Sequence, residues 1–404
     1  MSDSPNNPGF NSLGIPPSIE QKISRLGFTV PTPIQAQAIP PALERRDLIG
    51  IAQTGTGKTL AFAVPMIANL RNIQLGLVLV PTRELAIQIE EVFRQLGVKT
   101  AVLIGGAPMG RQVAQLRGRP AVIVATPGRL MDHLEQRTLS LQLAGVVVLD
   151  EADRMLDMGF APIIRRSVDL TPKDRQTMLF SATMPKEIAD LANTYLKSPV
   201  RIEITRSGTV ADHVEQELFV VEREDKAALL GDVLRSHKGT ALVFTRTRHG
   251  ARKLATTVRA HGHSTAELHS DRTMAQRTAA LHDFKSGGVR ILIATDIAAR
   301  GIDVKEIGLI VNYDIPENPE DYVHRIGRTG RAGASGKAIT FACPDQHRDV
   351  RDIEKLMKAE LRLSPDSRLT LAVRPPAPMR SRPGSGSFQG NRGRNNNSRP
   401  ARFR

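Results

Sequence analysis

Residues 51–59 could bind the phosphates of a nucleotide. They read Ile-Ala-Gln-Thr-Gly-Thr-Gly-Lys-Thr, between an apolar stretch at 47–51 and another at 60–64. The first stretch predicts a strand and the second the start of a helix, which is the context of a phosphate-binding loop. Glycines let backbone N–H groups point inward, and the helix N-terminus adds partial positive charge. Lys58 would reach the β- and γ-phosphates, and the Thr59 hydroxyl would ligate Mg²⁺.

The loop departs from the generic pattern G-x-x-x-x-G-K-[ST] at one position, where Ala52 replaces the first glycine. The alternative interpretation is a glycine-rich surface turn with an unrelated lysine. The strand-to-helix context favours the nucleotide site. The residues expected at the nucleotide are contiguous: Ala52, Gln53, Thr54, Gly55, Thr56, Gly57, Lys58 and Thr59.

A group of carboxylates follows the apolar run at 146–149. Asp150, Glu151 and Asp153 come directly after it. In phosphate-loop enzymes an Asp at such a strand end holds Mg²⁺, and a following Glu can polarise the attacking water. The alternative is an acidic helix cap. Because an apolar strand delivers the carboxylates, we expect Asp150 at the metal and Glu151 at the water.

Two series of strands and helices must position these residues. Continuous apolar runs, typical of strands buried on both faces of a parallel sheet, occur at 47–51, 76–80, 99–104, 121–125, 146–149 and 177–180. A second series runs through 241–244, 264–268, 290–294, 308–311 and 338–341. Helical segments lie between the runs, and a short amphipathic helix is predicted at 18–26. The pattern indicates two doubly wound α/β domains with a nucleotide in the cleft between them.

We predict five segments along the chain. They are a disordered N-terminus at 1–9, the first domain at 10–205, a polar linker at 206–212, the second domain at 213–365 and a disordered tail at 366–404. From Leu371 onward the tail has eight arginines and no Lys, Asp or Glu. It cannot bury a core. We interpret it as a non-specific nucleic-acid tether, the alternative being a solubilising tail.

The charge of the chain indicates a polyanionic partner. Its 404 residues carry a formal net charge of +15, and the pI is near 10.4, which favours nucleic acid over a membrane. Cys343 is the single cysteine, which excludes an intrachain disulfide and fits a reducing compartment. The N-terminus has no secretory pattern, and no apolar stretch approaches the ~20 residues that span a bilayer. We therefore expect a cytoplasmic protein with no membrane partner.

Together the motifs resemble those of the DEAD-box RNA helicases. The resemblance covers residues 10–345 and is specific, because many motifs occur in order. In the first half they are 31–35 (Pro-Thr-Pro-Ile-Gln), 52–59, 81–86 (Pro-Thr-Arg-Glu-Leu-Ala), 105–106, 126–129 (Thr-Pro-Gly-Arg), 150–153 (Asp-Glu-Ala-Asp) and 181–183 (Ser-Ala-Thr). In the second half they are 294–303 and 324–331. Ala52 is normal in this family, and the overall layout looks most like its bacterial members.

The resemblance implies tandem RecA-like domains, with ATP and Mg²⁺ as cofactors. Gln35 would read the adenine edge, because its amide donates and accepts at once. Phe10 would lie against the base, where Phe28 could also pack. In the second domain, Gly301 and Asp303 would lie at the nucleotide, with Asp303 at the ribose.

The same resemblance implies how ATP would be hydrolysed. Besides Lys58 and Glu151, it makes Arg328 and Arg331 arginine fingers that neutralise charge on the transferred phosphoryl group. Their alternative is a basic surface turn. Ser181 and Thr183 would couple the ATP site to the closed state through Asp153.

RNA contacts are implied in both domains. Many are small residues with free backbone N–H groups, which suit phosphate and 2′-hydroxyl binding and predict little sequence preference. They are Pro81, Thr82, Arg83, Gly106, Thr126, Gly128 and Arg129 in the first domain and Arg277 and Thr295 in the second.

Two positions depart from the family pattern. Ser270 stands where the family usually has Gly, and we expect little change in the loop. Met274 stands where the family often has Gln. Since Met cannot offer the hydrogen bonds of an amide, we expect weaker RNA binding by the second domain.

The expected activity is ATP-dependent unwinding of RNA duplexes or remodelling of RNA–protein complexes, with hydrolysis stimulated by RNA. One alternative is an RNA-binding or annealing protein whose tail acts and whose ATPase is vestigial. The intact Lys58, Glu151 and Arg331 argue against it. The other alternative is a DNA translocase of the same superfamily. Gln35 and the sequence Asp-Glu-Ala-Asp at 150–153 favour RNA over DNA as the substrate.

Overall fold

The computed structural model describes residues 9–53, 55–70, 74–204, 214–299, 307–330, 336–367 and 369–371. Within these ranges the strands form two parallel sheets of seven strands each. No helix in the described part is long and apolar enough to cross a membrane. The predicted fold class, two doubly wound α/β domains, is confirmed.

The first sheet has the strand order β3-β4-β2-β5-β6-β1-β7. Side chains of its central strands point alternately into two apolar clusters, one on each face. Leu48 and Val148 belong to one cluster, for example, and Ile49 and Val147 to the other. The strands are β1 Leu48–Ile51, β2 Leu75–Leu79, β3 Thr100–Leu103, β4 Val122–Ala125, β5 Ala144–Leu149, β6 Gln176–Ser181 and β7 Val200–Glu203.

Helices cover both faces of this sheet. A 3₁₀ turn at Phe10–Leu13 precedes them. They are α1 Pro17–Arg25, α2 Pro33–Leu43, α3 Lys58–Asn69, α4 Arg83–Gln95, α5 Met109–Arg117, α6 Pro127–Glu135, α7 Ala152–Asp157, α8 Ala161–Asp169 and α9 Lys186–Tyr195.

The second sheet repeats the architecture, with the order β10-β11-β9-β12-β13-β8-β14. Its core is likewise divided between two apolar clusters. The strands are β8 Val214–Val220, β9 Ala241–Thr245, β10 Thr265–Leu268, β11 Ile291–Thr295, β12 Leu309–Asn312, β13 Gly336–Ala342 and β14 Arg362–Leu363. The helices are α10 Lys226–Ser236, α11 Arg248–Ala260, α12 Met274–Lys285, α13 Asp296–Ala299, α14 Pro319–Ile326 and α15 His347–Met357.

Three strands were not predicted from the sequence. β7 reads Val-Arg-Ile-Glu and β8 Val-Glu-Gln-Glu-Leu-Phe-Val, so charged residues interrupt their apolar runs, and β14 has only two residues. β7 and β14 are the last strands of their sheets, where one edge is unpaired and a fully apolar run is not required.

The segment boundaries remain predictions. Residues 206–212, the predicted linker, lie outside the described residues, as do 1–8 and 372–404. The backbone N–H of Val220 donates to Ser367 Oγ (2.9 Å), so contacts with the second sheet reach at least Ser367.

The two halves meet through α12. Arg277 Nη2 lies 2.6 Å from Glu84 Oε1, and both side chains are buried. Met274, one turn earlier on α12, packs against the apolar cluster of the first sheet. This contact brings the start of α4 and the start of α12 together.

Candidate functional site

The loop between β1 and α3 is described at 52–53 and 55–57, and its two glycines have the backbone of a phosphate cradle. Gly55 and Gly57 have φ of +87° and +92°, and α3 begins at Lys58. Such φ values strain any residue with a Cβ atom. Lys58 Nζ is buried, lies 4.0 Å from Asp150 Oδ1 and has no hydrogen-bond partner in the described part of the chain. A buried ammonium group in this state fits an anionic ligand.

Gln35 is tied to this loop by both ends of its amide. Its Oε1 accepts from the backbone N–H of Thr32 (2.9 Å), and its Nε2 donates to the carbonyl of Gly57 (3.0 Å). A Cβ atom at Gly57 would collide with that amide and lie 3.0 Å from Thr32 Oγ1. Gln35 therefore holds the position of the loop besides being a candidate for reading the base.

The two candidate aromatic contacts of the base differ in exposure. Phe10 is 3% exposed and packs in a cluster with Ile23, Ile39 and Val64. Phe28 is 46% exposed. Phe28 is thus the aromatic ring that is open to a ligand in this arrangement, and the contact of Phe10 with the base stays a prediction.

The carboxylates at the end of β5 are buried beside the loop. Glu151 has a left-handed backbone (φ 53°, ψ 50°), and its N–H donates to Asp150 Oδ1 (3.0 Å). Burial raises the pKa of Asp150 to about 6, although the charge of Lys58 opposes the shift. Burial would also raise the pKa of Glu151, but the charges of Arg154, Lys58 and Arg328 outweigh burial and hold that pKa at about 2. Glu151 is therefore ionised at neutral pH.

Asp153 links the carboxylate segment to the end of β6. Its Oδ2 accepts from the backbone N–H groups of Ala182 and Thr183 (both 3.0 Å) and from Thr183 Oγ1 (3.1 Å). The N–H of Asp153 donates to Ser181 Oγ (3.3 Å). Asp153 thus contacts both of the other residues predicted to act in coupling.

The second domain faces these carboxylates with α14 and the residues after it. Arg154 Nη2 donates to His324 Nδ1 (2.9 Å), and Arg328 is buried close enough to Glu151 to lower its pKa. A cavity of about 230 Å³ lies between the domains, lined in part by Gln53, Thr183 and Arg328. Thr54, Gly301, Asp303 and Arg331, all predicted at the nucleotide, lie outside the described residues.

The predicted RNA contacts of the first domain follow three neighbouring strands, β3, β4 and β2. Thr82 caps α4 by accepting from the N–H of Leu85 (3.3 Å), and the Arg83 side chain packs over Gly105 and Gly106. Arg129 Nη1 donates to the carbonyl of Ala107 (2.9 Å). All seven residues, Pro81, Thr82, Arg83, Gly106, Thr126, Gly128 and Arg129, lie just beyond the carboxyl ends of these strands.

In the second domain the two predicted RNA contacts have different surroundings. Thr295 is the half-buried last residue of β11. Arg277 forms the buried ion pair with Glu84, and the charge of Arg83 is close enough to affect its pKa, which burial lowers. The domain contact therefore brings Arg277 next to the first-domain candidates.

Several residues of this site were not predicted from the sequence. Arg154 directly follows the motif at 150–153 and Glu84 lies within the motif at 81–86, but each makes a contact across the domain interface that no motif predicts. Gln112 and His133 hydrogen-bond to each other (3.2 Å), and Gln112 Nε2 donates to the carbonyl of Ile104 (3.0 Å), which supports the loop at 105–107. No spacing or local pattern in the sequence marks these residues.

Comparisons with known families and proteins place the chain in one family of enzymes. The model of the DEAD/DEAH box helicase family matches residues 32–191, and that of the helicase conserved C-terminal domain matches residues 225–333. DEAD-box ATP-dependent RNA helicase 30 of Arabidopsis thaliana is 42% identical over 97% of this chain and 67% of its own length. DEAD-box ATP-dependent RNA helicase CshA of Bacillus subtilis is 40% identical over 87% of this chain and 73% of its own length.

Solved structures show the same arrangement of two domains. Dbp5 of S. cerevisiae bound to RNA and ADP BeF3 matches with a TM-score of 0.79 and 30% identity, over 88% of this chain and 95% of that one. Mss116p bound to ssRNA and AMP-PNP matches with a TM-score of 0.81 and 27% identity, over 91% of this chain and 82% of that one.

Proposed function

Because this chain belongs to the DEAD-box family of ATP-dependent RNA helicases, we propose that RNA and ATP together hold its domains closed and that hydrolysis reopens them. It is a nucleotide-binding enzyme that couples ATP hydrolysis to the unwinding or remodelling of RNA. Binding energy from RNA is used to close the cleft, and closure bends one strand so that its partner is released.

The residues at the loop fit ATP. The orphaned ammonium group of Lys58, the positive-φ glycines and the N-terminus of α3 form a site for phosphate oxygens. Gln35 would read the adenine edge, with Phe10 or the exposed ring of Phe28 against the base. Thr59 and Asp150 would hold Mg²⁺, which supplies positive charge at the phosphates when bound.

Hydrolysis requires a base and a source of positive charge. Glu151 is ionised and would accept a proton from the attacking water at its carboxylate. Arg328, with Arg331, would stabilise the negative charge that develops on the phosphoryl group. Arg328 comes from the second domain, so this charge is in place only when the domains are together.

RNA would bind along the carboxyl ends of β3, β4 and β2 and across to Thr295. This surface offers backbone N–H groups, a threonine hydroxyl and two arginines, which suit phosphates and 2′-hydroxyls. We therefore propose little sequence preference. A cytoplasmic location is proposed as well, supported by the single cysteine.

One observation carries the proposal: Arg154 binds the buried Glu151 carboxylate (3.2 Å) and at the same time His324 of the second domain (2.9 Å), which brings α14 to the proposed catalytic carboxylate. The test is ATP-dependent separation of a short RNA duplex by the full chain and by Glu151→Gln. We expect the substitution to lower ATP turnover about a hundredfold or more and to abolish repeated strand separation.

The matched control is Glu135→Gln, which removes an exposed carboxylate on α6. We expect it to leave both activities unchanged. Duplex separation that persists in Glu151→Gln, or that needs no ATP in the parent, would contradict the proposed function.

A further inference from the structure

Arg154 is a buried arginine that touches both domains. It lies on α7, three residues after Glu151, and is 3% exposed. Its Nη1 donates to Glu151 Oε2 (3.2 Å). Its Nη2 donates to His324 Nδ1 (2.9 Å) and lies 3.7 Å from Asp321 Oδ1. The guanidinium group therefore bridges a carboxylate of the first domain and two side chains on one face of α14.

The contacts with α14 exist only while the domains are together. Asp321 and His324 are spaced i, i+3 on α14, so both can reach the same guanidinium group. A guanidinium group only donates hydrogen bonds, so His324 accepts at Nδ1 and carries its proton on Nε2. A buried arginine that loses its partners is costly, so separation of the domains must change the environment of Arg154.

We infer that Arg154 is a positioning residue that couples domain closure to the orientation of the Glu151 carboxylate. This inference rests on the proposed role of Glu151 as the group that activates water. When α14 is in place, Asp321 and His324 fix Nη2, and Nη1 then fixes Glu151 Oε2. When α14 withdraws, the guanidinium group is free to turn its whole fork toward Glu151, as arginine–carboxylate pairs commonly do.

The backbone of Glu151 supports the inference that Arg154 sets the orientation of the carboxylate. Its left-handed φ and ψ are fixed by the bend between β5 and α7 and by the bond from its N–H to Asp150. The side-chain torsions of Glu151 are what remains to be set, and Arg154 is a charged partner that reaches across the interface to set them. Among the positive charges near Glu151, that of Arg154 has the largest effect on its pKa.

The test compares Arg154→Gln and Arg154→Lys with the parent at saturating ATP and RNA. Domain closure is followed in parallel by energy transfer between a dye on each domain, with RNA and a non-hydrolysable ATP analogue. We expect Arg154→Gln to lower kcat roughly ten- to a hundredfold, with closure and the KM for RNA within about twofold of the parent. Arg154→Lys keeps the charge and should recover part of kcat.

The opposite pattern would overturn the inference. If Arg154→Gln lost closure but kept the parental kcat once closure was forced by excess RNA, Arg154 would only hold the domains together. The matched control is Arg166→Gln, an exposed arginine on α8, which should change neither readout. A parent chain with no RNA-stimulated turnover would instead refute the proposed function, before any variant is compared.

A second variant keeps the inference testable if Arg154→Gln does not fold. Asp321→Asn removes the charge on α14 at a position where the side chain is 17% exposed. We expect it to lower kcat several-fold in the parent and to add little in Arg154→Gln, because both act through one contact. Fully additive losses in kcat would overturn the inference.

Discussion

At the scale of single residues, Gln35, which we propose reads the base, is joined to the phosphate loop by its amide. The amide oxygen and nitrogen are each bonded to backbone, at Thr32 and Gly57. A ligand that hydrogen-bonds to this amide must therefore also affect the position of the loop. The type of residue was predictable from the sequence, but its second partner was not, because Gly57 lies 22 positions away.

Gln35→Glu tests this connection. A carboxylate cannot donate to the carbonyl of Gly57, so this hydrogen bond, worth about 0.5–1.5 kcal/mol, is lost and two oxygens are left facing each other. We expect the affinity for ATP to fall about tenfold or more, measured by titration with a fluorescent ATP analogue. Gln136→Glu, at the exposed C-terminal end of α6, should leave affinity unchanged, and an equal effect of both would contradict the connection.

Gly57→Ala tests the phosphate loop itself. The left-handed backbone costs a residue with a Cβ atom roughly 1–2 kcal/mol, and here the Cβ atom would also meet the Gln35 amide. We expect ATP affinity to fall by more than about tenfold. Gly110→Ala is the control, since Gly110 lies in α5 with open space around its Cβ position. Equal ATP affinity of the two variants would refute the importance of the loop conformation.

At the scale of elements, continuous apolar runs were enough to predict the strands that form the centre of each sheet. β7, β8 and β14 could not be predicted this way, because side chains at or next to a sheet edge face solvent on one side. The turn at Phe10–Leu13 was missed for a different reason. Phe10 and Leu13 are buried against α1 and α3, which no local pattern reveals, and the contact of Phe10 with the base stays a prediction.

Met274→Gln tests an element-scale contact. The sequence led us to expect weaker RNA binding at this position, but the structure packs Met274 on the first-domain cluster beside the buried pair of Glu84 and Arg277. Placing an amide there would weaken the contact between the domains by about 1 kcal/mol or more. We expect the fraction of closed molecules with ATP analogue but no RNA to fall about fivefold, measured by energy transfer between the domains.

The control for this contact is Ala279→Gln, which places the same side chain on an exposed position of α12. We expect no change in closure. If Met274→Gln instead changed only the affinity for RNA and left closure without RNA untouched, the packing of Met274 would not contribute to holding the domains together.

At the scale of the whole molecule, the motifs within each domain could be predicted from the sequence, but their partners across the interface could not. Asp150, Asp153, Ser181 and Lys58 are brought together by adjacent strands of one parallel sheet, which the order of motifs already implies. The pairs Arg154–Asp321 and Glu84–Arg277 depend on how two separate domains dock. No spacing within the chain encodes that geometry.

Charge is also a property of the whole molecule. Eight of the 15 net positive charges belong to residues 371–404. We expect deletion of these residues to raise the KM for RNA and to reduce its dependence on salt, because fewer counterions are displaced. The rate of duplex separation at saturating RNA should remain within about twofold, since the catalytic groups lie in the two domains.

The control for the deletion is a full-length chain whose eight tail arginines are glutamines, which should match the deletion. Loss of strand separation at saturating RNA in both variants would favour the annealing protein, in which the tail acts and the ATPase does not.

The most direct test of the whole account is ATP hydrolysis by the purified chain without nucleic acid, with single-stranded RNA and with DNA of the same sequence. Because Arg328 and the bridge through Arg154 need the domains to be together, and we propose that RNA and ATP together hold the domains closed, we predict strong stimulation by RNA and little by DNA. Equal stimulation by DNA would indicate a less selective translocase. A rate that RNA does not change would contradict the coupling of closure to hydrolysis.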